Sequence, residues 1–232
     1  MKITVLGASG LIGTKVVNLL QNQGHELVAA SRSTGVDVLT GSGLAEALAG
    51  ADVLVDVTNS PSFEDEPVMK FFATSATNLV DAAKRAGVGH YVALSIVNAD
   101  GVPDSGYMRA KVGQEKIIRA SGIPYSIVRA TQFADFADAI TESLTDGDVV
   151  RVPNALIQPI PADHVAAALA RAVVAKPING FVNVGGPRKI TFEQLARESL
   201  ARKGDATKTV VVDRNARYYG ADLNTNSLVT PD

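Results

Sequence analysis

A tyrosine and a lysine four residues apart are the side chains of this sequence best suited to moving a proton. Tyr107 and Lys111 lie at the start of a predicted helical segment, where this spacing puts both on one helix face. An ammonium group near a phenol favours the phenolate and lowers the pKa of the tyrosine, which can then exchange a proton near neutral pH. Ser95 ends the preceding predicted strand, and its hydroxyl can orient a carbonyl oxygen. The alternative is a plain amphipathic helix with Tyr107 half-buried.

Three glycines near the N-terminus are typical of a loop that wraps a dinucleotide pyrophosphate. Gly7, Gly10 and Gly13 lie between a short apolar strand and a helical pattern. Gly7 permits a tight turn, Gly10 leaves no side chain between backbone and phosphate, and Gly13 lets the helix lie close to the sheet. The first-turn N–H groups and the positive end of the helix dipole then face the anion. The loop residues predicted to bind the cofactor are Gly7, Ser9, Gly10, Leu11, Ile12 and Gly13.

The residues after the second predicted strand indicate which dinucleotide is bound. NAD sites place an Asp or Glu there for the ribose 2′-hydroxyl, whereas this chain has Ser31 and Arg32. A guanidinium beside hydroxyls suits a 2′-phosphate, which favours NADP(H) over NAD(H). A solvated arginine in a polar turn is the alternative. Asp37 is predicted to lie against the adenine, and Thr58 and Asn59 to face the cofactor from a strand end.

Two phenylalanines are candidates for binding the substrate. Phe133 and Phe136 follow the predicted strand 124–129, whose carboxyl end borders the expected cofactor crevice. They are suited to stacking on a flat substrate. Equally, they could belong to a helix and pack in the hydrophobic core of the protein. Arg129 is predicted either to neutralise a buried carboxylate or to touch the cofactor.

Strand-length and helix-length patterns alternate along the chain and predict an α/β fold of the Rossmann type, a doubly wound parallel sheet with helices on both faces. The predicted strands are 2–6, 26–30, 52–57, 90–95, 124–129, 149–152, 180–184 and 208–213. The predicted helices are 13–23, 43–49, 67–86, 106–120, 133–143, 163–175 and 191–203, with Asp163 as an N-cap. Residues 1–130 are expected to form the NAD(P)-binding core. Residues 131–232 are expected to form a smaller substrate-binding region, interleaved with the last sheet elements, and the polar ending at Asp232 suggests that the natural C-terminus is longer.

Composition narrows the classes of partner. The 232 residues carry a net charge of −2 with no run of Lys or Arg, so neither nucleic acid nor an anionic membrane is an expected partner. The absence of cysteine excludes disulfides, thiolate nucleophiles and zinc–thiolate sites. The three histidines are scattered singly, so no metal site is predicted. The first apolar run is too short for a signal peptide and no stretch reaches membrane-spanning length, so we expect a cytoplasmic protein. We expect it to be a monomer or a homodimer.

The chain resembles the short-chain dehydrogenase/reductase superfamily, and within it the atypical NmrA-like NAD(P)-binding branch. The matching residues are 7–13, 31–33, 94–97, 107–111 with 114–115, and 127–133. The resemblance implies that Tyr107 is the general acid/base, with Lys111 as its lysine partner, which also binds the cofactor ribose, and Ser95 as its serine. It also implies a Rossmann sheet, a small C-terminal substrate-binding region and usually NADPH. One departure is that Asp56-Val57-Thr58-Asn59 replaces the superfamily's Asn-Asn-Ala-Gly segment.

These observations favour an NADPH-dependent oxidoreductase that reduces a carbonyl or quinone by hydride transfer. The quinone option comes from the resemblance alone. The competing prediction is a non-catalytic NmrA-like redox sensor that binds NAD(P) and acts through a protein partner, because many members of that branch lack the tyrosine. An epimerase or dehydratase would need tightly held NAD, and the lack of an acidic residue at Ser31 or Arg32 argues against it.

Overall fold

A six-stranded parallel sheet forms the centre of the protein in the computed structural model, which describes residues 1–231. Its strands are β1 (Lys2–Leu6), β2 (Glu26–Ala30), β3 (Val53–Asp56), β4 (His90–Ile96), β5 (Tyr125–Ala130) and β9 (Gly180–Val184). Their order across the sheet is β2-β1-β3-β4-β5-β9, with every neighbouring pair parallel. The predicted Rossmann-type fold is therefore confirmed, and the strand order reverses direction between β1 and β3.

Helices cover both faces of this sheet. They are α1 (Leu11–Asn22), α2 (Leu44–Leu48), α3 (Asp65–Ala86), α4 (Gly106–Ala120), α5 (Ala137–Ser143), α6 (Ala162–Val174) and α7 (Phe192–Lys203). Helices α1 and α6 share one apolar cluster with the sheet, and α2, α3 and α4 contribute to another. Within residues 1–231, none of these helices is long and apolar enough to cross a membrane.

The inner strands β1, β3 and β4 are mostly apolar because both of their faces are buried. Val53 and Val55 of β3 belong to the α1/α6 cluster, while Leu54 between them belongs to the cluster under α2, α3 and α4. This alternation follows from the two-residue repeat of a strand. Asp56 completes the strand and is as buried as its neighbours, at 1% exposed.

The second half of the chain adds two small sheets beside the main one. Their strands are β6 (Thr145–Asp146), β7 (Val149–Val152), β8 (Leu156–Ile157), β10 (Ile190–Thr191) and β11 (Thr209–Val212). A separate apolar cluster, which includes the fully buried Phe192, holds them to α5 and α7. The chain then folds back as a tail, residues 213–231, which is attached where Asn98 Nδ2 donates to the Val229 carbonyl at 2.8 Å. Asp232 lies outside the described residues.

Two local predictions were wrong. The predicted helix 133–143 is divided into a 3₁₀ turn, Ala134–Phe136, and the helix α5. Asp163 is not the N-cap of α6, because the helix begins one residue earlier, at Ala162. Asp135 instead accepts a hydrogen bond from the Ala162 N–H at 3.2 Å, and Asp163 forms an ion pair with Lys15 of α1 at 2.6 Å.

An ion pair joins the last turns of α4 to β5. Arg129 donates two hydrogen bonds to Glu115, at 2.9 and 2.6 Å, and the Glu115 side chain is only 4% exposed. The ring of Phe181 covers the guanidinium from 4.0 Å, and Asp100 contacts its outer edge at 3.4 Å. The hydrogen bonds that Arg129 donates to Glu115 are the main reason that the pKa of Arg129 is raised. Arg129 therefore neutralises a buried carboxylate, which was one of the two expectations for it.

Removing one partner of this pair should cost more than removing both. Arg129→Leu leaves the Glu115 carboxylate buried without a counter-charge, so we expect the free energy of unfolding to fall by about 3–5 kcal/mol. The double variant Arg129→Leu/Glu115→Leu should recover much of that loss. Urea unfolding at pH 7 measures both, and a double variant less stable than Arg129→Leu would contradict this account.

Candidate active site

A cleft of about 640 Å³ opens at the carboxyl ends of the parallel strands. It lies beside the point where the strand order reverses, which is where open α/β sheets bind their ligands. Its walls come from the glycine loop, the ends of β3, β4 and β5, the start of α4, the residues around α5, and the tail. The polar or charged side chains among its lining residues are Thr58, Asn59, Asp65, Ser95, Ser105, Tyr107, Lys111, Thr131, Gln132, Tyr218 and Tyr219.

The glycine loop has the shape that was expected for a pyrophosphate cradle. Gly7 adopts φ +83°, and a Cβ there would lie 2.8 Å from the Val57 carbonyl oxygen. A Cβ on Gly13 would lie 2.1 Å from the Gly7 carbonyl oxygen, so the loop and α1 touch backbone to backbone. Gly10 is the N-cap of α1 and supplies no side-chain cap, so the first-turn N–H groups are left for a ligand. Gly10, Leu11 and Ile12 line the cleft.

The residues after β2 form a short polar turn. Ser31 N-caps the 3₁₀ helix Arg32–Thr34, and its hydroxyl lies 2.8 Å from that of Ser33. Arg32 is exposed, and its guanidinium has no hydrogen-bond or ion-pair partner among residues 1–231. Asp37 uses Oδ1 to accept the N–H of Leu39 at 2.7 Å, so this carboxylate shapes its own turn.

Tyr107 and Lys111 do lie together at the start of α4, but their polar atoms have separate partners. The Tyr107 hydroxyl donates to Asn59 Oδ1 at 2.8 Å. Burial raises the pKa of Tyr107 to about 12, and the hydrogen bond with Asn59 opposes this only in part. The expectation that Lys111 lowers the pKa of this tyrosine was therefore wrong.

Lys111 is held by the protein interior. Its Nζ donates to the Leu94 carbonyl at 2.8 Å and to Gln114 Oε1, and it lies 4.4 Å from the centre of the Phe72 ring. Burial lowers the pKa of Lys111 to about 8, although the charges of Asp56 and Glu115 act in the opposite direction. All three directions around the ammonium are therefore occupied, which explains why it does not reach the phenol.

Asp56 anchors this arrangement from beneath the cleft. Its Oδ2 accepts hydrogen bonds from Gln114 Nε2 at 2.8 Å and from the Tyr91 hydroxyl at 2.9 Å. Its Oδ1 accepts from the Thr58 hydroxyl at 2.7 Å and the Thr58 N–H at 3.1 Å. One carboxylate thus fixes the loop after β3 and, through Gln114, Lys111. Neither Asp56 nor Gln114 was predicted as a site residue, although an acidic residue that closes an apolar buried strand is a usable signal.

Two buried side-chain atoms of the lining have no hydrogen-bond partner among residues 1–231. Ser95 is 3% exposed, and its Oγ makes no hydrogen bond in the described structure. Gln132 Oε1, just beyond β5, is likewise buried and unpaired. A buried polar group without a partner is costly, so both atoms are suited to binding a polar group of a ligand.

Aromatic side chains make up much of the remaining wall. Phe133 and Phe136 stack with ring centroids 5.7 Å apart, and both line the cleft, while Phe133 also packs against the core. Phe63 lies 5.3 Å from the Tyr107 ring. Tyr218 and Tyr219 enter from the tail, and sequence reasoning missed them because no local pattern indicates that the tail folds back over the cleft.

The strand order, the glycine loop and the cleft define a Rossmann-type NAD(P)-binding protein. A sequence profile described as NAD(P)H-binding matches residues 34–176, more than half of the chain, so the chain belongs to this family. The match contains Ser95, Tyr107 and Lys111 and begins after the glycine loop. The expected membership of the NmrA-like group of NAD(P)-binding proteins is confirmed.

Curated relatives match a little over half of the chain. The isoflavone reductase homolog IRL of Zea mays is 31% identical over 163 residues, 58% of this chain and 50% of that protein. The photosystem II assembly factor Ycf39 of Cyanophora paradoxa is 25% identical over 147 residues, 57% of this chain and 46% of that protein. The matched segment thus spans about half the length of these relatives.

Solved structures with low sequence identity share the fold. MoeE5 in complex with UDP-glucose and NAD has a TM-score of 0.72 at 19% identity, covering 93% of this chain and 87% of that one. A dTDP-4-dehydrorhamnose reductase from Clostridium acetobutylicum has a TM-score of 0.74 at 18% identity, covering 96% and 88%. At these identities the likeness concerns the fold alone.

The same substitution at two glycines of the loop should have different effects. Gly13→Ala forces its Cβ against the Gly7 backbone, so we expect a loss of about 1–3 kcal/mol in stability together with loss of dinucleotide binding. Gly10→Ala is the matched control, because its Cβ meets only the Gly7 carbonyl oxygen, at 3.3 Å. That variant should weaken binding with a smaller fall in Tm. Thermal unfolding and calorimetric titration measure the two effects, and equal falls in Tm would contradict the prediction.

Proposed function

We propose that this protein is an NADPH-dependent reductase of uncharged carbonyl or quinone substrates. The observation that carries the proposal is the pairing, in one cleft, of a protonated phenol with an unpartnered serine hydroxyl beside the glycine loop. Bound NADPH supplies a hydride for transfer to carbon. Ser95 Oγ donates a hydrogen bond to the substrate oxygen, and the Tyr107 hydroxyl gives that oxygen its proton.

The raised pKa of Tyr107 suits the role of a proton donor. At about 12, it keeps the phenol protonated across the neutral range, so Tyr107 begins the cycle as an acid. Asn59 accepts its hydrogen bond and orients it at 2.8 Å. Lys111 is a positioning residue that lies behind the cleft wall, because its ammonium donates to Leu94 and Gln114 in the interior.

The charges at the cleft support an uncharged substrate. Asp65 forms an ion pair with Arg109 at 2.5 Å, and Lys111 is engaged with the interior, so the lining offers no unpaired cation to a substrate phosphate or carboxylate. The UDP-glucose that is bound to MoeE5 carries two phosphates, and the described part of this lining has no free cation to offset their charge.

The proposed preference for NADPH rests on the turn after β2. Arg32 is exposed and has no partner among residues 1–231, and its sequence neighbours Ser31 and Ser33 have their hydroxyls 2.8 Å apart. This set of donors suits a 2′-phosphate, and no carboxylate in the turn Ser31–Thr34 would repel one.

Replacing Tyr107 by Phe should remove the proton donor while keeping the ring. We expect kcat for an aldehyde to fall about 10²–10⁴-fold, with NADPH affinity unchanged. The measurement is NADPH oxidation against a panel of aldehydes and quinones, with calorimetry for the cofactor. Tight NADPH binding with no turnover of any substrate by the wild type would refute the reductase and leave the redox sensor. Equal rates for both proteins would remove Tyr107 from the mechanism and keep the reductase.

Replacing Arg32 by Ala should affect the two cofactors unequally. Loss of a charge-assisted contact to the 2′-phosphate should weaken NADPH binding by roughly tenfold to a hundredfold and leave NADH binding nearly unchanged. Binding of each cofactor to wild type and variant is measured by fluorescence titration. Equal losses for NADPH and NADH would refute the assignment of Arg32.

A further inference from the structure

One tyrosine of the tail has a backbone conformation that its residue type disfavours. Among residues 1–231, three residues other than glycine have positive φ: Asn98 at 55°, Asn179 at 49° and Tyr219 at 47°. Asparagine tolerates this left-handed region, whereas a bulky aromatic residue there is an outlier. Two of the three positions thus carry the expected residue type, and Tyr219 does not.

The conformation of Tyr219 is imposed by a tight turn. Tyr218 and Ala221 exchange both backbone hydrogen bonds, at 2.9 and 3.0 Å, and the residues between them are Tyr219 and Gly220, the latter with φ +81°. A two-residue turn with both central φ angles positive prefers Asn-Gly or Gly-Gly. Asparagine at position 219 would suit the backbone better. The backbone conformation therefore does not explain why a tyrosine occupies this position.

The Tyr219 side chain lies at the cleft. It is 57% exposed and forms part of the lining. Its ring meets Tyr218 edge-on with centroids 4.8 Å apart, and Tyr218 is in turn held by the buried Phe192 at 5.7 Å. The ring of Tyr219 is thus supported from behind while its outer surface is open to a ligand.

We propose that Tyr219 is a substrate-binding residue that selects flat aromatic substrates, an inference that rests on the proposed reductase function. Strained backbone persists where a function requires it, and an exposed ring gains little for folding by itself. Three of the seven phenylalanines and three of the five tyrosines line the cleft: Phe63, Phe133, Phe136, Tyr107, Tyr218 and Tyr219. A planar ring gains stacking contacts there that a small aliphatic aldehyde cannot make.

The test distinguishes the effect of the strained Tyr219 backbone on stability from the effect of the Tyr219 ring on binding. Tyr219→Asn relieves the turn and removes the ring, so we expect Tm to rise by about 2–4 °C while affinity for a flat probe falls about tenfold. Tyr219→Phe is the matched control, because it keeps both ring and strain and should bind as the wild type does. The probe is 1,4-naphthoquinone, titrated calorimetrically into the full chain saturated with NADP⁺, where hydride transfer cannot occur.

Each result decides the proposal. Weaker binding and higher Tm in Tyr219→Asn, with Tyr219→Phe unchanged, support it. Unchanged affinity in Tyr219→Asn, or a Tm below that of the wild type, overturns it. If the wild type binds no naphthoquinone, the assignment to flat substrates is overturned, while turnover of an aliphatic aldehyde by the same protein would leave the reductase standing. If the probe binds through Tyr219 but nothing is turned over, the proposed function fails and the ligand site remains.

Discussion

The buried carboxylate of Asp56 is the constraint on which the site depends. It accepts four hydrogen bonds, from Tyr91, Gln114 and twice from Thr58, and so joins β3, β4, α4 and the loop after β3. A buried carboxylate is tolerated only when its oxygens are satisfied, so each donor has little freedom to move. Because Gln114 is fixed, its hydrogen bond with Lys111 restricts that side chain as well. Thr58, which is fixed in the same way, forms part of the cleft wall.

As a consequence, Tyr107 and Lys111 point to different surroundings although they share one face of α4. Lys111 is directed inward, towards Leu94 and Gln114, and Tyr107 is directed towards Asn59 and the cleft. Burial then acts on each in the direction that disfavours charge, raising the pKa of the phenol and lowering that of the ammonium. The tyrosine is therefore protonated at neutral pH, which suits the proposed reduction of a carbonyl group.

Much of the fold was predictable, because parallel strands and their crossover helices leave strong local patterns. The predicted strands 2–6, 26–30 and 180–184 match the structure residue for residue, and the glycine loop lies where its spacing indicated. The misses concern groups whose partners are distant in sequence. Asp163 has the residue type of an N-cap but pairs with Lys15, and the pKa of Tyr107 depends on what surrounds it rather than on the lysine four residues away.

The sequence by itself determined the class of protein, since strand, glycine loop and helix are contiguous and their geometry follows from local backbone preferences. It also supplied Ser95, Tyr107 and Lys111, because helical spacing and strand ends can be read from residue order. Only the tertiary structure decided the burial and the hydrogen-bond partners of those groups, because both depend on residues from other elements. It alone joined Asp56 to Gln114, left Ser95 Oγ without a partner, and brought Tyr218 and Tyr219 to the cleft from a tail with no periodic pattern.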